Sequence, residues 1–189
     1  MRPQELLEIL SVAEKLKCST RHCYASNGRH ESVAEHSWRL ALMAFWLREE
    51  FPELDMEKVI HMCLIHDLGE CFTGDIPVFL KTEAHETRED ELLSRWVSTL
   101  PEPLREEMAA LYREMNARQT PEANLYKALD GLEAIIQHNE SDISTWEPNE
   151  YDLQLTYATD RVAFSPYLTK LRQQILQDSL EKIEKARQG

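Results

Sequence analysis

Residues 59–70 read VIHMCLIHDLGE, an apolar segment in which the adjacent pair His66 and Asp67, followed by Glu70, is embedded among Val59, Ile60, Met62, Cys63, Leu64, Ile65 and Leu68. A segment this apolar is expected to be buried on all sides, and an ionised carboxylate does not persist in such a place uncompensated. Asp67 therefore requires a cation, either from the chain or from a metal ion. The neighbouring imidazole points to a metal, because imidazole and carboxylate together suit Mn, Fe, Co, Ni or Zn. On a continuing helix, side chains of consecutive residues diverge by about 100°, so His66 and Asp67 would share an ion lying between their two directions. Glu70 would stand one turn along, beside both, where a carboxylate can hold a water on the ion. A metal-free His–Asp hydrogen bond would satisfy both groups as well. His36, in turn, could be a core histidine donating to a carbonyl, and Glu70 a helix-end carboxylate in solvent, so the residues taken singly leave both readings open.

The elements that must position these groups read as helices. Five glycines in 189 residues and recurrent 3.6-residue periodicity predict an all-α, compact helical bundle. A first helix is expected from Gln4 to Lys17 with Leu6, Leu7, Leu10, Val12, Ala13 and Leu16 facing inward. A polar stretch, CSTRHCYASNGRHE, follows as a loop with its turn at Asn27-Gly28. Ser32 and Glu35 form an S-x-x-E capping box that starts a second helix carrying His36 in its first turn. The third helix begins near Asp55, the fourth spans Lys81 to Leu100, and the fifth carries Leu104, Met108, Leu111, Tyr112 and Met115. Thr120-Pro121 is an N-cap and N1 pair for a sixth helix reaching Asn139. Pro148 and Ser165-Pro166 open two more. On the sixth helix Leu125, Leu129, Leu132 and Ile136 make the inner stripe. Asp130 lies on its flank with Glu133 and Gln137, where Lys127 could pair with it from three residues away.

Composition excludes several classes. Against 21 basic residues stand 34 acidic ones, a formal charge of −13, which opposes sequence-independent binding to polymeric nucleic acid. An anionic substrate should be small and locally held. The longest apolar run, Leu40–Leu47, is far short of a membrane span, and the N-terminus MRPQELLEIL lacks a signal-like apolar region. A cytoplasmic protein without membrane partners is expected. Cys18, Cys23, Cys63 and Cys71 make no C-x-x-C pair, so reduced thiols are expected in place of a thiolate zinc site or a disulfide framework.

The order E-S-V-A-E-H (Glu31–His36), H-D-L-G-E-C-F-T-G-D-I-P (His66–Pro77) and Y-K-A-L-D (Tyr126–Asp130) resembles the HD-domain superfamily, in particular its 5'-deoxynucleotidase branch. The likeness runs over roughly residues 1–140. It implies a single HD domain over 1–189, with the motifs between about 21 and 130 and the helices of 148–189 completing the bundle. By the resemblance His36, His66, Asp67 and Asp130 ligate one divalent metal ion per chain, drawn from Co, Mn, Mg, Fe, Ni or Zn. Glu70 activates or protonates around the water on that ion, and Asp75 contacts the sugar or supports the leaving group. Arg21 matches the family's phosphate-binding arginine, with Arg29 and Lys81 as further phosphate candidates. The pattern departs where His22, and not tryptophan, follows Arg21, which bears on base preference.

The implied activity is hydrolysis of the 5'-phosphate of (deoxy)nucleoside monophosphates to nucleoside and inorganic phosphate, by a homodimer. The amphipathic last helix, with Leu168, Leu171, Ile175 and Ile183, offers one dimer surface, and packing within the chain explains that stripe equally well. The alternatives are an HD-type phosphodiesterase or other nucleotide phosphohydrolase, and a non-catalytic nucleotide-sensing domain with a structural metal. Dinuclear HD proteins place two additional histidines between the HD pair and the last aspartate, whereas only His85 lies there in this chain. A structural site would close its coordination sphere and need no acid or base beside it.

Overall fold

In the computed structural model, which describes residues 1–188, the chain is helical except for one hairpin. Helix α1 (Pro3–Ala13) starts with Pro at its first turn, with the Glu5 carboxylate accepting from the Arg2 amide and guanidinium, and tightens into a 3₁₀ turn at Glu14–Lys17. It buries Leu16 and partly buries Ile9, Val12 and Ala13, whereas Leu6, Leu7 and Leu10, expected inside, face solvent. Apolar residues lie nearly all round this helix, so its own periodicity does not select a face. Its neighbour across a groove, at Trp96 and Leu100, does.

The segment expected to be a loop is an antiparallel hairpin, β1 (Thr20–Tyr24) and β2 (His30–Ser32). Asn27-Gly28 closes it: Gly28 takes φ 83°, a region open to glycine without strain, and its amide bonds the Ala25 carbonyl. β1 buries Cys23 and partly encloses the polar Arg21 and His22, which is why its composition reads as loop.

Helix α2 (Val33–Trp46) begins at the expected box: Ser32 Oγ accepts from the Glu35 amide, and the Glu35 carboxylate accepts from the Ser32 amide at 2.9 Å. Such a cap is worth about 1 kcal/mol, and here it sets the turn on which His36 stands. Helix α3 (Met56–Ile65) is capped by Asp55 and buries Val59, Met62 and Cys63, while His61 and Leu64 are exposed, so the segment is not buried on all sides. It also ends earlier than its apolar run. Tyr112 donates from its hydroxyl to the Ile65 carbonyl at 2.7 Å, and the chain then proceeds through i→i+3 hydrogen bonds at Leu68, Glu70 and Cys71. His66 and Asp67 therefore sit in tight turns at the helix end, before α4 (Glu70–Thr73), and not on the continuous helix expected.

Helices α5 (Glu83–Val97) and α6 (Leu104–Ala117) close a smaller apolar cluster around Leu16, Val33, Leu68 and Leu93. Helix α7 (Pro121–Glu140), capped by Thr120, runs through the larger core beside α2 and α3. A Cβ added to its Gly131 would stand 2.7 Å from the Ala158 Cβ, so glycine is what lets the chain after α8 (Glu150–Thr156) approach it. Helix α9 (Pro166–Gln188) lays Leu168, Ile175 and Ile183 against the rest of the chain, so intrachain packing occupies the stripe that could have served a dimer. Among the described residues no helix is long and apolar enough to cross a membrane, and the four cysteines are unbridged.

Candidate active site

Four side chains from three segments converge. His36 Nε2 lies 3.2 Å from Asp130 Oδ1 and 3.9 Å from Asp67 Oδ2, while His66 Nε2 lies 3.0 Å from Asp67 Oδ2 and 3.6 Å from Asp130 Oδ1. Ligand atoms about 2.1 Å from a common ion stand about 3.0 Å apart at right angles and about 3.4 Å apart in a tetrahedron. Two of the four observed spacings, 3.0 and 3.2 Å, lie in that range, and 3.6 and 3.9 Å are somewhat longer. His66 Nε2 is buried and has no aligned hydrogen-bond partner among the described residues, despite its close carboxylate neighbours. An orphaned imidazole nitrogen ringed by oxygens is what a divalent cation would satisfy.

The opposite ring nitrogens fix both imidazoles. His66 Nδ1 bonds the Cys63 carbonyl at 2.9 Å, one turn back in α3, which leaves Nε2 to face the carboxylates. His36 Nδ1 bonds Glu133 Oε2, one turn beyond Asp130 on α7. Glu133 is only 1% exposed, and Arg39 Nε approaches its other oxygen at 3.5 Å. This carboxylate–imidazole pair sets the His36 tautomer from behind, as the partners of metal-binding histidines generally do. Sequence reasoning placed Glu133 on the flank with Asp130 but gave it no role. The signal was there: a carboxylate three residues from Asp130 in a helix too apolar to leave it unpaired.

Asp130 serves two partners. Its Oδ2 accepts from Lys127 Nζ at 2.8 Å, the pair its spacing suggested, while its Oδ1 faces the imidazoles. Burial opposes its ionisation, but Lys127 and the two histidines hold its pKa well below the usual carboxylate range. Asp67 is likewise lowered against burial, chiefly by His66. Burial also works against a charged His66 ring, yet the Asp67 and Asp130 carboxylates carry its pKa up to about 10. Protons on the imidazoles thus balance the aspartates wherever no cation does.

Glu70 sits beside them with Oε2 buried and unpartnered, and burial followed by the Asp67, Asp75 and Glu89 charges pushes its pKa up to about 10. Arg21, on β1, is ion-paired with Glu31, whose Oε2 lies 3.1 Å from Nε without hydrogen-bond alignment, and its NH1 is 3.8 Å from Asp67 Oδ2. Glu31 also accepts from Cys23 Sγ at 3.2 Å, which fixes this carboxylate beside the guanidinium in the hairpin interior. A cavity of about 330 Å³ opens over Asp67, Glu70, Asp75, Arg21 and Lys81, within the size range of small-ligand sites. Lys81 is tethered to Glu89 at 2.9 Å. Arg29 is not brought to this cavity: it is exposed and forked on Glu35, with one bond of 2.8 Å, because the hairpin turn carries it to the outer side of the α2 cap.

Comparison with known proteins places the chain in a family. Residues 13–172 match the family model described as HD domain, reaching beyond the three sequence motifs into α9. The 5'-deoxynucleotidase HDDC2 of Homo sapiens is 34% identical over 142 residues, which cover 72% of this chain and 68% of that protein. The 5'-deoxynucleotidase HDDC2 of Dictyostelium discoideum is 30% identical over 176 residues, covering 87% and 92%. The crystal structure of a predicted metal-dependent phosphohydrolase from Magnetospirillum magnetotacticum MS-1 superposes with a TM-score of 0.78 at 27% identity, covering 96% of each chain.

Proposed function

Because the chain belongs to the HD-domain family, we propose that it is a metal-dependent 5'-deoxynucleotidase, cleaving the 5'-phosphomonoester of deoxynucleoside monophosphates to nucleoside and inorganic phosphate. The observation that carries this reading is the pair of imidazoles turned, by Cys63 and Glu133 behind them, to face Asp67 and Asp130 at one end of a nucleotide-sized cavity.

His36, His66, Asp67 and Asp130 hold one divalent ion in this reading. When bound, such an ion polarises a phosphoryl oxygen, makes water a better nucleophile near neutral pH, and opposes the carboxylate field that raises the Glu70 pKa. Arg21 engages two nonbridging phosphate oxygens with its planar fork, with the Glu31 carboxylate 3.1 Å from its Nε as countercharge. Lys81 adds a second positive charge at the same end. Glu70 takes a proton at Oε2 from the attacking water. Asp75, at the cavity wall after α4, meets the sugar and the leaving 5'-oxygen, and the proton taken up by Glu70 goes to that oxygen as the P–O bond breaks, so the nucleoside leaves as the alcohol. Arg29 has no part in this scheme.

The two imidazoles and two carboxylates accept Co, Mn, Mg, Fe, Ni or Zn, and the choice among them follows supply as much as affinity. The whole chain is read as one HD domain acting in the cytoplasm as a homodimer. The solvent-facing leucines of α1, Leu6, Leu7 and Leu10, suit a dimer contact better than the occupied stripe of α9.

The test is phosphate release from nucleoside monophosphates with Mn, Co, Mg or Zn supplied, in the wild type and in Glu70→Ala. The variant is expected to bind metal normally and to lose at least about 10²-fold in kcat, the scale of a general base. Activity retained in Glu70→Ala would remove this residue from the mechanism, and no release across the whole panel would sink the hydrolase reading.

A further inference from the structure

The cavity continues well past the metal end. Helix α7 lines it with Lys127, Asp130, Ala134 and His138, a single stripe along the helix. Asp130 and His138 are eight residues apart, about 12 Å along the axis, comparable to the length of a nucleoside monophosphate. Helix α8 lies antiparallel alongside. Its Glu150 meets His138 at 2.8 Å, while Tyr157, just past its end, lies against Gly131. Gln154 falls between them, opposite the middle of the stripe.

The two ends differ in charge. Arg21, Lys81 and Lys127 gather at the metal end, whereas the far end presents the Glu150 carboxylate, which repels a phosphate dianion. Glu150 is itself fixed, accepting from His138 and from the Glu147 amide at 2.8 Å. Two groups on this wall are not satisfied. Gln154 is 3% exposed and lines the cavity, yet its Oε1 has no hydrogen-bond partner among the described residues. His22 Nε2 is buried and also unpartnered: Glu150 Oε1 is 3.4 Å away without hydrogen-bond alignment. The His22 ring is held edge-on against Phe79 at 5.4 Å between centroids.

Resting on the hydrolase reading above, we propose that this wall is a base-reading subsite. Gln154 and His22 are its specificity-determining residues, and they hydrogen-bond the donor and acceptor edge of the nucleobase while the phosphate sits with Arg21 and Lys81 at the metal end. A carboxamide offers one acceptor and one donor side by side, which matches the adjacent acceptor and donor that nucleobases carry. A buried polar group left unpaired by the wrong base disfavours that base more than a lost apolar contact would. The enzyme therefore discriminates among bases.

The test measures kcat/KM with Mn²⁺ for the four common deoxynucleoside 5'-monophosphates and for 2-deoxyribose 5-phosphate, which has no base. The full-length wild type, Gln154→Leu and His22→Phe are compared, the last keeping a ring against Phe79 while removing both nitrogens. The wild type is expected to spread the four bases over about tenfold or more, and each variant to contract that spread to about threefold. Each variant should also lose more on the preferred nucleotide than on the base-free sugar phosphate. Equal wild-type rates on all five compounds would overturn the inference. So would variants losing the same factor on the base-free compound, since that marks a structural effect. If nothing is hydrolysed, the hydrolase reading fails separately, and calorimetric binding of the same five compounds decides. Base-dependent affinity that flattens in Gln154→Leu sustains the subsite, and base-independent or undetectable affinity removes it.

Discussion

Loading the metal should expel protons, and the structure says from where. His66 donates from Nδ1 to the Cys63 carbonyl, so the additional proton of its charged form sits on Nε2, the atom facing Asp67 and Asp130. With its pKa carried to about 10, this ring is about 99% protonated at pH 8. An ion bound at Nε2 must displace that proton, so at least one proton is released per ion. Glu70, raised to about 10 by burial and neighbouring carboxylates, and His36, raised from its ordinary value mainly by Glu133 against burial and Arg21, add to the count. Three pH units separate pH 7 from the His66 value, so competition with this one proton weakens apparent affinity at pH 7 about 10³-fold, or about 4 kcal/mol. Affinity should rise at least about tenfold per pH unit through pH 7–9, and more steeply for each further proton that Glu70 or His36 gives up. In the chelated protein the dependence has the opposite sign. A group with a raised folded pKa stabilises fully below its unfolded value and loses that contribution as pH rises through the folded value, so stability should fall between pH 7 and 10. Calorimetric titration of Co²⁺ into metal-free protein, in buffers of different ionisation enthalpy, counts the protons. Proton-neutral binding at pH 8, or affinity flat across pH 7–9, would refute the electrostatic account of the ligand cluster.

Two further variants probe the support of the site. Glu133→Gln keeps an acceptor for His36 Nδ1 but removes the charge behind it, and is expected to weaken metal binding by about 10- to 100-fold while the circular dichroism spectrum is unchanged; wild-type metal affinity would show that Glu133 serves packing alone. Gly131→Ala should lower thermal stability by about 1–3 kcal/mol despite the better helix propensity of alanine, because its Cβ would stand 2.7 Å from that of Ala158; a raised Tm would mean that the α7 contact with the chain after α8 yields at no cost.

What could be read from the chain beforehand divides along the range of the interactions involved. The α2 and α7 starts were readable because Ser32, Glu35, Thr120 and Pro121 satisfy helix ends within three residues of themselves. The hairpin was missed although Asn27-Gly28 announced its turn, because β1 points polar groups inward, where Arg21 and Glu31 pair. Gly69 marks an exit from the third helix within VIHMCLIHDLGE, but α3 already ends at Ile65, where the Tyr112 hydroxyl, 47 positions away, donates to the carbonyl. The same holds for α1, whose two apolar faces are told apart only by the docking of α5 and the turn after it. Asp130 and Glu133 show the limit best. A helical wheel assigned both to a flank because it supposed one inner stripe, whereas α7 is enclosed around most of its circumference and buries Glu133 almost completely. The rule that made Asp67 conspicuous, that a carboxylate in an apolar segment needs a compensating charge, applies to Glu133 with equal force once α7 is recognised as a central helix. Its partner is then required to be a cation or a donor from a facing helix, and His36, standing in the first turn of α2 with Arg39 one turn on, meets that requirement.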